Sequence, residues 1–291
     1  MIIIMMQGGL GNQLFLYGLY KQLESLGKEV KMDEHLGFEN DENRSPCLEL
    51  LGLSYNKSTD KEVVKLRDAY MDIVRRLRRK IFGRKNLEYS EPLDGNFDSK
   101  VLELSDAYLI GYYQSEKYFQ SKEVRSLLRS KIWDACNGFL LTDTNKKYRK
   151  MIEESESVSL HVRRGDYLLP GICETYQGIC DDDYYKKSFE YISSRKENAL
   201  FFIFSNDIEW CRKHYGDNQN VVFVEADGNH ADISELFLMA LCHNHILANS
   251  SFSWWGAWLS KDKEKSITIA PKKWLNNKNM TDIYTDDMIL M

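Results

Sequence analysis

Apolar and polar positions fall into short blocks whose period switches along the chain between that of a strand and that of a helix. Ile2–Met6 is a continuous apolar run, and Leu16, Leu19, Tyr20, Leu23 and Leu26 then recur every three or four residues. That is a strand followed by a helix, with Gly27 as its stop and Glu29–Asp33 as the next strand. A βαβ opening of this kind implies a parallel sheet. A long helix is expected from Asp60 to about Phe82, a strand over Ala107–Tyr113 and a helix over Lys117–Trp133. From Ser157 onward the alternation is cleaner. Strands fit Ser157–Val162, Leu200–Ser205, Val221–Glu225, His245–Ala248 and Ser266–Ala270, with helices near Asp182–Ser194, Asp207–Tyr215, Asp232–Cys242 and Phe252–Ser260. The chain therefore reads as α/β, with a unit over residues 1–150 and a second, doubly wound unit over 151–291. The boundary falls in the polar stretch Asp143–Glu156.

Composition narrows the function classes. At 43% apolar and 29% charged residues the chain supports sizeable cores, and a net charge of −5 argues against a general nucleic-acid binder. No apolar stretch is long enough for a transmembrane helix, and MIIIMM reads as a strand and not as a signal peptide. The six cysteines show no CxxC spacing and read as thiols of a cytoplasmic protein. One segment departs from the acidic average: Arg75–Lys85 carries seven basic residues around Leu77, Ile81 and Phe82. It suits peripheral contact with anionic lipid, and equally a solvated helix face or salt bridges at a domain interface.

Four segments can carry chemistry. In HVRRGDY, residues 161–167, two arginines leave the end of a buried strand. Arginine's planar fork suits phosphate, and open α/β sheets place ligands at this strand end, so the pair reads as a diphosphate clamp. An Arg–Asp ion pair closing the turn, Arg163 or Arg164 to Asp166, explains the same residues. QGGLGNQ follows the first strand and invites a dinucleotide-binding reading with Asp33 on a ribose, but Leu14 stands where the third glycine belongs. Gly9 and Gly11 still bring backbone close to a ligand, and Asn12 and Gln13 add amide groups; a tight turn capped by Asn12 is the plainer reading. FSND places Asn206 and Asp207 at another strand end, Asp207 being a helix cap or a ligand contact. In ANSSFSWWGAWLS, Ser250, Ser251 and Phe252 open a helix whose N-terminus attracts phosphate, and Ser250 or Ser251 also serves as an ordinary N-cap. Its tryptophans read as core, and Gly256 as a point of close helix approach. Asp232 reads as an N-cap paired with Glu235 in a capping box, or as a carboxylate facing a guanine edge. Asp181–Asp183 reads as a helix start in preference to a manganese site.

Taken together, GGLGNQLF, HVRRGDY, FSND and NSSFSWWGAWL resemble, in order and spacing over nearly the whole chain, the family 11 glycosyltransferases. These are the inverting α-1,2-fucosyltransferases, more distantly similar to α-1,6- and protein O-fucosyltransferases. The resemblance implies a GT-B fold of two Rossmann-like domains facing a central cleft, with the acceptor mainly on the first, GDP-fucose mainly on the second, and the last helix able to return to the first. It implies transfer of L-fucose to the 2-hydroxyl of a terminal galactose without cofactor or divalent metal. By position, Arg163 binds the β-phosphate, His161 the nucleotide or a phosphate, Asp232 the guanine, and Ser250 and Ser251 the phosphates, while Arg164 and Asp166 organise the loop. Asn206 departs from the commoner aspartate of that motif. The proton acceptor is not visible; Asp33, Asp166 and Glu174 are candidates. Another linkage, another nucleotide sugar on the same scaffold, or a non-catalytic nucleotide- or sugar-binding protein are the competing readings, with a dehydrogenase behind them.

Overall fold

The computed structural model describes residues 1–67, 81, 87–261 and 265–291, without the side chain of Asp166. The basic cluster over residues 75–85 lies outside this description except for Ile81. The chain divides into two compact units, Met1–Lys131 and Ile132–Met291.

The first unit is built on a sheet of four parallel strands in the order β2-β1-β4-β3: β1 (Ile2–Met5), β2 (Val30–Asp33), β3 (Glu88–Ser90) and β4 (Ala107–Ile110). Helix α1 (Leu10–Ser25) buries Leu16, Leu19, Tyr20 and Leu23 of the positions that recur at helical spacing, while Leu26 is its exposed C-cap. Helix α2 is described over Asp60–Arg67, the first part of the long helix expected there. The short strand β3 has no counterpart in the sequence reading, being three residues with only partial burial.

Helix α3 (Lys122–Phe139) starts five residues later than the pattern suggests. The expected start at Lys117 is a 3₁₀ turn instead, capped by the Ser115 hydroxyl accepting from Lys117 N. The α-helix proper begins beyond Ser121, whose hydroxyl accepts from Val124 N.

The second unit holds a six-stranded parallel sheet in the order β10-β9-β8-β5-β6-β7. Its strands are β5 (Ser157–Val162), β6 (Leu200–Ser205), β7 (Val221–Phe223), β8 (Asn244–Ile246), β9 (Thr268–Ala270) and β10 (Met288–Leu290). The register pairs Ser157 with Leu200 on one side of β5 and Val158 with Asn244 on the other. The helices are α4 (Asp143–Glu153), α5 (Asp182–Ser193), α6 (Ile208–Tyr215), α7 (Ala231–Leu241) and α8 (Ser251–Trp258). All six residues of β5 are buried, as a central parallel strand requires.

The contact-based division falls inside α3, ahead of the 150/151 boundary read from the sequence, and it places α4 in the second unit. The reason is Asn145, which is fully buried. Its amide donates to Phe139 O and Asp227 O and its carbonyl accepts from Asp227 N, tying α4 to the loop before α7. A polar stretch resembles a linker in the sequence, yet here its polar side chain is spent on internal hydrogen bonds.

Trp254, Trp255 and Trp258 are core residues, and Gly256 lets α8 lie directly on α7, where an added Cβ would sit 2.9 Å from Met239 Cβ. None of the six cysteines is in a disulfide. Among the described residues no helix is long and apolar enough to cross a membrane.

Candidate active site

In each unit the strand order reverses next to its first strand, and ligands of open parallel sheets sit outside the carboxyl ends of the strands at that reversal. In the second unit the reversal lies between β5 and β8. The segments leaving those two strands are Arg163–Leu168 and Leu247–Ser250, so the arginine motif and the serine-rich helix start stand at one edge because of topology.

His161 closes β5. It is 4% exposed, its ring centroid lies 5.9 Å from that of Phe252, and its Nδ1 has no hydrogen-bond partner among the described residues. Burial, reinforced by the Arg163 guanidinium, pushes its pKa down to about 3, so the ring is neutral at physiological pH. A buried polar nitrogen left unsatisfied is costly unless something fills the place.

The two arginines separate. Arg164 is held from three sides: its N–H donates to Asn206 Oδ1 (3.0 Å), its Nε to Asp207 Oδ2 (3.3 Å), and its guanidinium lies 3.9 Å from the centroid of Trp210. Asp207 also caps α6 by accepting from Trp210 N. Arg164 forms an ion pair with Asp207, on the neighbouring strand end, while the ion pair expected with Asp166 lies outside the described residues. Gly165 packs so tightly on Asn206 that a Cβ would come within 2.2 Å of its Nδ2. Arg163 points elsewhere, its guanidinium 5.5 Å from the centroid of Tyr167.

At the β8 end, Ser250 is the N-cap of α8 and its hydroxyl accepts from Phe252 N. Ser251 and Phe252 form the first, half-buried turn. Asn249 is buried, donating to Trp274 O and accepting from Cys180 Sγ.

Helix α7 also begins at this edge, since it leads from β7 back into β8. Its N-cap is His230, without a side-chain bond, so the capping box expected of Asp232 and Glu235 is not formed. Asp232 is exposed in the first turn. Glu235, one turn ahead of Met239 on the face toward α8, is partly buried and hydrogen-bonds to no described residue. Burial, then the Asp232 charge, raises its pKa to about 8. Sequence reasoning gave this group only a capping role; the signal for its burial was a carboxylate at the head of the apolar run LFLMALC.

In the first unit the reversal lies between β1 and β4, and Gln7 Nε2 spans it to Gly111 O at 2.9 Å. The α1 N-cap is Gly9, not Asn12, because Gly9 O already accepts from Asn12 N and Gln13 N. Gly8 has φ +76°, and a Cβ there would meet Asn12 Nδ2 at 2.5 Å. Gly11 is buried within α1. Asn12 Oδ1 accepts from Gln114 Nε2 at 2.6 Å. Gln13 is 1% exposed and wholly engaged inside the protein, donating to Gly8 O and Ser45 O and accepting from Cys47 N.

Asp33, offered above for a ribose or as a base, is 2% exposed. Its oxygens accept from His35 N, Leu36 N and Tyr108 OH (2.6 Å). It borders a cavity of about 630 Å³ with its carboxylate already satisfied. Glu174 is exposed on the single turn Cys173–Tyr176. Asp166 lies in the turn Gly165–Leu168, its side chain outside the description. Asp181 caps α5, as a helix start should. Among the described residues no group of three or more His, Cys, Asp or Glu is arranged to hold a metal ion.

The chain is similar to an α-1,2-colitosyltransferase of Escherichia coli, 30% identical over 96% of this chain and 94% of that protein. It is 27% identical to the O-antigen biosynthesis glycosyltransferase WbnK of the same organism, over 98% of each. Similarity to pig galactoside α-(1,2)-fucosyltransferase 1, at 33%, covers 36% of this chain and 29% of that one. Among solved structures, the fucosyltransferase NodZ from Bradyrhizobium superposes with a TM-score of 0.46, at 16% identity over 88% of this chain and 92% of that one. The family model of glycosyl transferase family 11 matches residues 87–290, which take in β3 and β4 of the first unit and the whole of the second unit's site. The chain belongs to glycosyltransferase family 11.

Proposed function

We propose that this chain is an inverting α-1,2-fucosyltransferase that moves L-fucose from GDP-fucose to the 2-hydroxyl of a terminal β-galactose. The observation that carries the reading is the convergence at the β5/β8 reversal of a guanidinium, a buried imidazole with an unsatisfied nitrogen and a helix N-terminus. Two relatives with different sugar names share the α-1,2 linkage in those names, which supports the linkage more than the donor.

In this reading Arg163 and the start of α8 hold the diphosphate, and His161 Nδ1 hydrogen-bonds the nucleotide. The guanine-reading carboxylate is Glu235, with exposed Asp232 beside it, since a half-buried carboxylate accepts the paired N–H donors of guanine with less competition from water. The first unit, with Asn12 at its own strand reversal, takes the acceptor. The galactose 2-oxygen attacks the anomeric carbon as the bond from that carbon to the β-phosphate oxygen breaks. The hydroxyl proton passes to a base or to solvent, and GDP departs with added charge on the β-phosphate. Arg163 and the helix N-terminus stabilise that charge more in the transition state than before it, which is the condition for raising kcat, and no divalent metal is assigned to the step.

A second reading is favoured by the colitosyltransferase relative: the donor sugar is colitose, which is fucose without its 3-hydroxyl. The test offers GDP-fucose and GDP-colitose with lactose and other β-galactosides, and the linkage of any product is determined. A β-linked or non-2-linked product, or turnover with neither donor, refutes the proposal. Preference for GDP-colitose establishes the second reading.

A further inference from the structure

We infer that Tyr167 is the residue that positions Arg163, a role that rests on the diphosphate-clamp reading above. Three contacts meet on this ring. The Arg163 guanidinium lies over it, Tyr176 stacks on it with centroids 4.0 Å apart and planes 18° apart, and its hydroxyl donates to Asn249 O at 3.0 Å. That hydrogen bond crosses the strand reversal, joining the loop after β5 to the loop that opens α8. Both supports are anchored in turn. Asn249 is buried and bonded to Trp274 O. The turn carrying Tyr176 is gripped by Asn276, whose N donates to Thr175 O and whose Nδ2 donates to Glu174 O and Gln177 O.

An arginine side chain has four rotatable bonds, and ordering it costs rotamer entropy. Here an aromatic platform restricts it before any anion arrives. The same hydroxyl bond anchors the platform to the loop after β8, so the ring under Arg163 is held from the neighbouring strand end. Arg164 belongs to a different assembly, with Asp207 and Trp210.

The experiment is a double-mutant cycle on the full chain, with R163A, Y167L and R163A/Y167L assayed against donor and β-galactoside. Y167L is expected to lower kcat by roughly 10- to 100-fold, as misplacement of a catalytic group by about 1 Å does, with a smaller change in donor KM. On the R163A background Y167L is expected to change kcat by less than about threefold, because a residue acting through Arg163 has nothing left to position. If the two losses multiply, Tyr167 is only structural and the inference is wrong. It is equally wrong if Y167L retains full activity while R163A is impaired. If R163A itself is fully active, the clamp reading has failed first, and the cycle distinguishes the two failures. Should Y167L not fold, Y167F carries the same cycle, since it keeps the platform and removes only the bond to Asn249. A Y167F loss on the wild-type background that disappears on R163A supports the inference, and an equal loss on both overturns it.

Discussion

Replacing Glu235 by glutamine isolates one titration inside the second unit. The folded chain raises this carboxyl from its ordinary 4.5 to about 8, chiefly by burial and then by the Asp232 charge. Between those two pH values the folded protein holds a proton that the unfolded chain has released. The stability Glu235 contributes is therefore complete below pH 4.5 and is lost as pH rises through 8. At about 1.36 kcal/mol for each pH unit, the full interval corresponds to about 5 kcal/mol. Glutamine does not titrate, so other groups cancel in the difference between the two proteins. Urea denaturation at pH 5.5 and 7.5, followed by fluorescence of the buried tryptophans of α8, reads it directly. E235Q should gain about 3 kcal/mol on wild type between those pH values, whatever its offset at pH 5.5. A difference constant to within about 0.5 kcal/mol refutes the argument, because it means the carboxyl titrates in the folded chain as it does in the unfolded one. If Glu235 reads guanine, it must ionise to do so, and calorimetry in buffers of different ionisation enthalpy should find close to one proton released for each GDP bound at pH 7.

R163A should cost about 3–4 kcal/mol in kcat/KM with GDP-fucose, the loss typical of one charge-stabilising donor, with kcat falling more than affinity for GDP. G256A puts a methyl 2.9 Å from Met239 Cβ and should destabilise the second unit by about 1–3 kcal/mol, visible as a lower denaturation midpoint. N145A removes three part-buried hydrogen bonds, two to Asp227 in the loop before α7 and one to Phe139 O at the end of α3, and should cost about 2–4 kcal/mol by the same measurement.

Much of the fold was legible because burial in parallel sheets writes itself as apolar runs. Ser157–Val162 and Leu200–Ser205 are strands at the bounds the pattern gives, since both lie in the middle of a sheet and every position is under the same constraint. β3 and β10 escaped notice because each is a three-residue edge strand with no buried alternation to advertise it. The division within α3 differs from the boundary read at 150/151 for a related reason: Asn145, Thr142 and Asp227 look solvated in sequence, and only their mutual geometry shows them tied to one another around the buried Asn145.

The site was legible as a set of segments and not as a set of roles. Spacing brought HVRRGDY and NSSFSWW to attention, and strand order explains why they meet. Neither could say which arginine does what, because that depends on contacts between side chains far apart in sequence. Arg164 answers to Asp207 and Trp210, more than 40 residues on. Arg163 answers to Tyr167, four residues on and fixed through Asn249. The ion-paired turn and the anion clamp compete as explanations of one motif, and the structure gives Arg164 an ion pair with Asp207 and Arg163 a contact with the Tyr167 ring. The division also has a mechanical logic. An arginine neutralised by Asp207 braces the loop against β6, and on the proposed reading that bracing lets its neighbour meet a diphosphate without a compensating movement of the backbone.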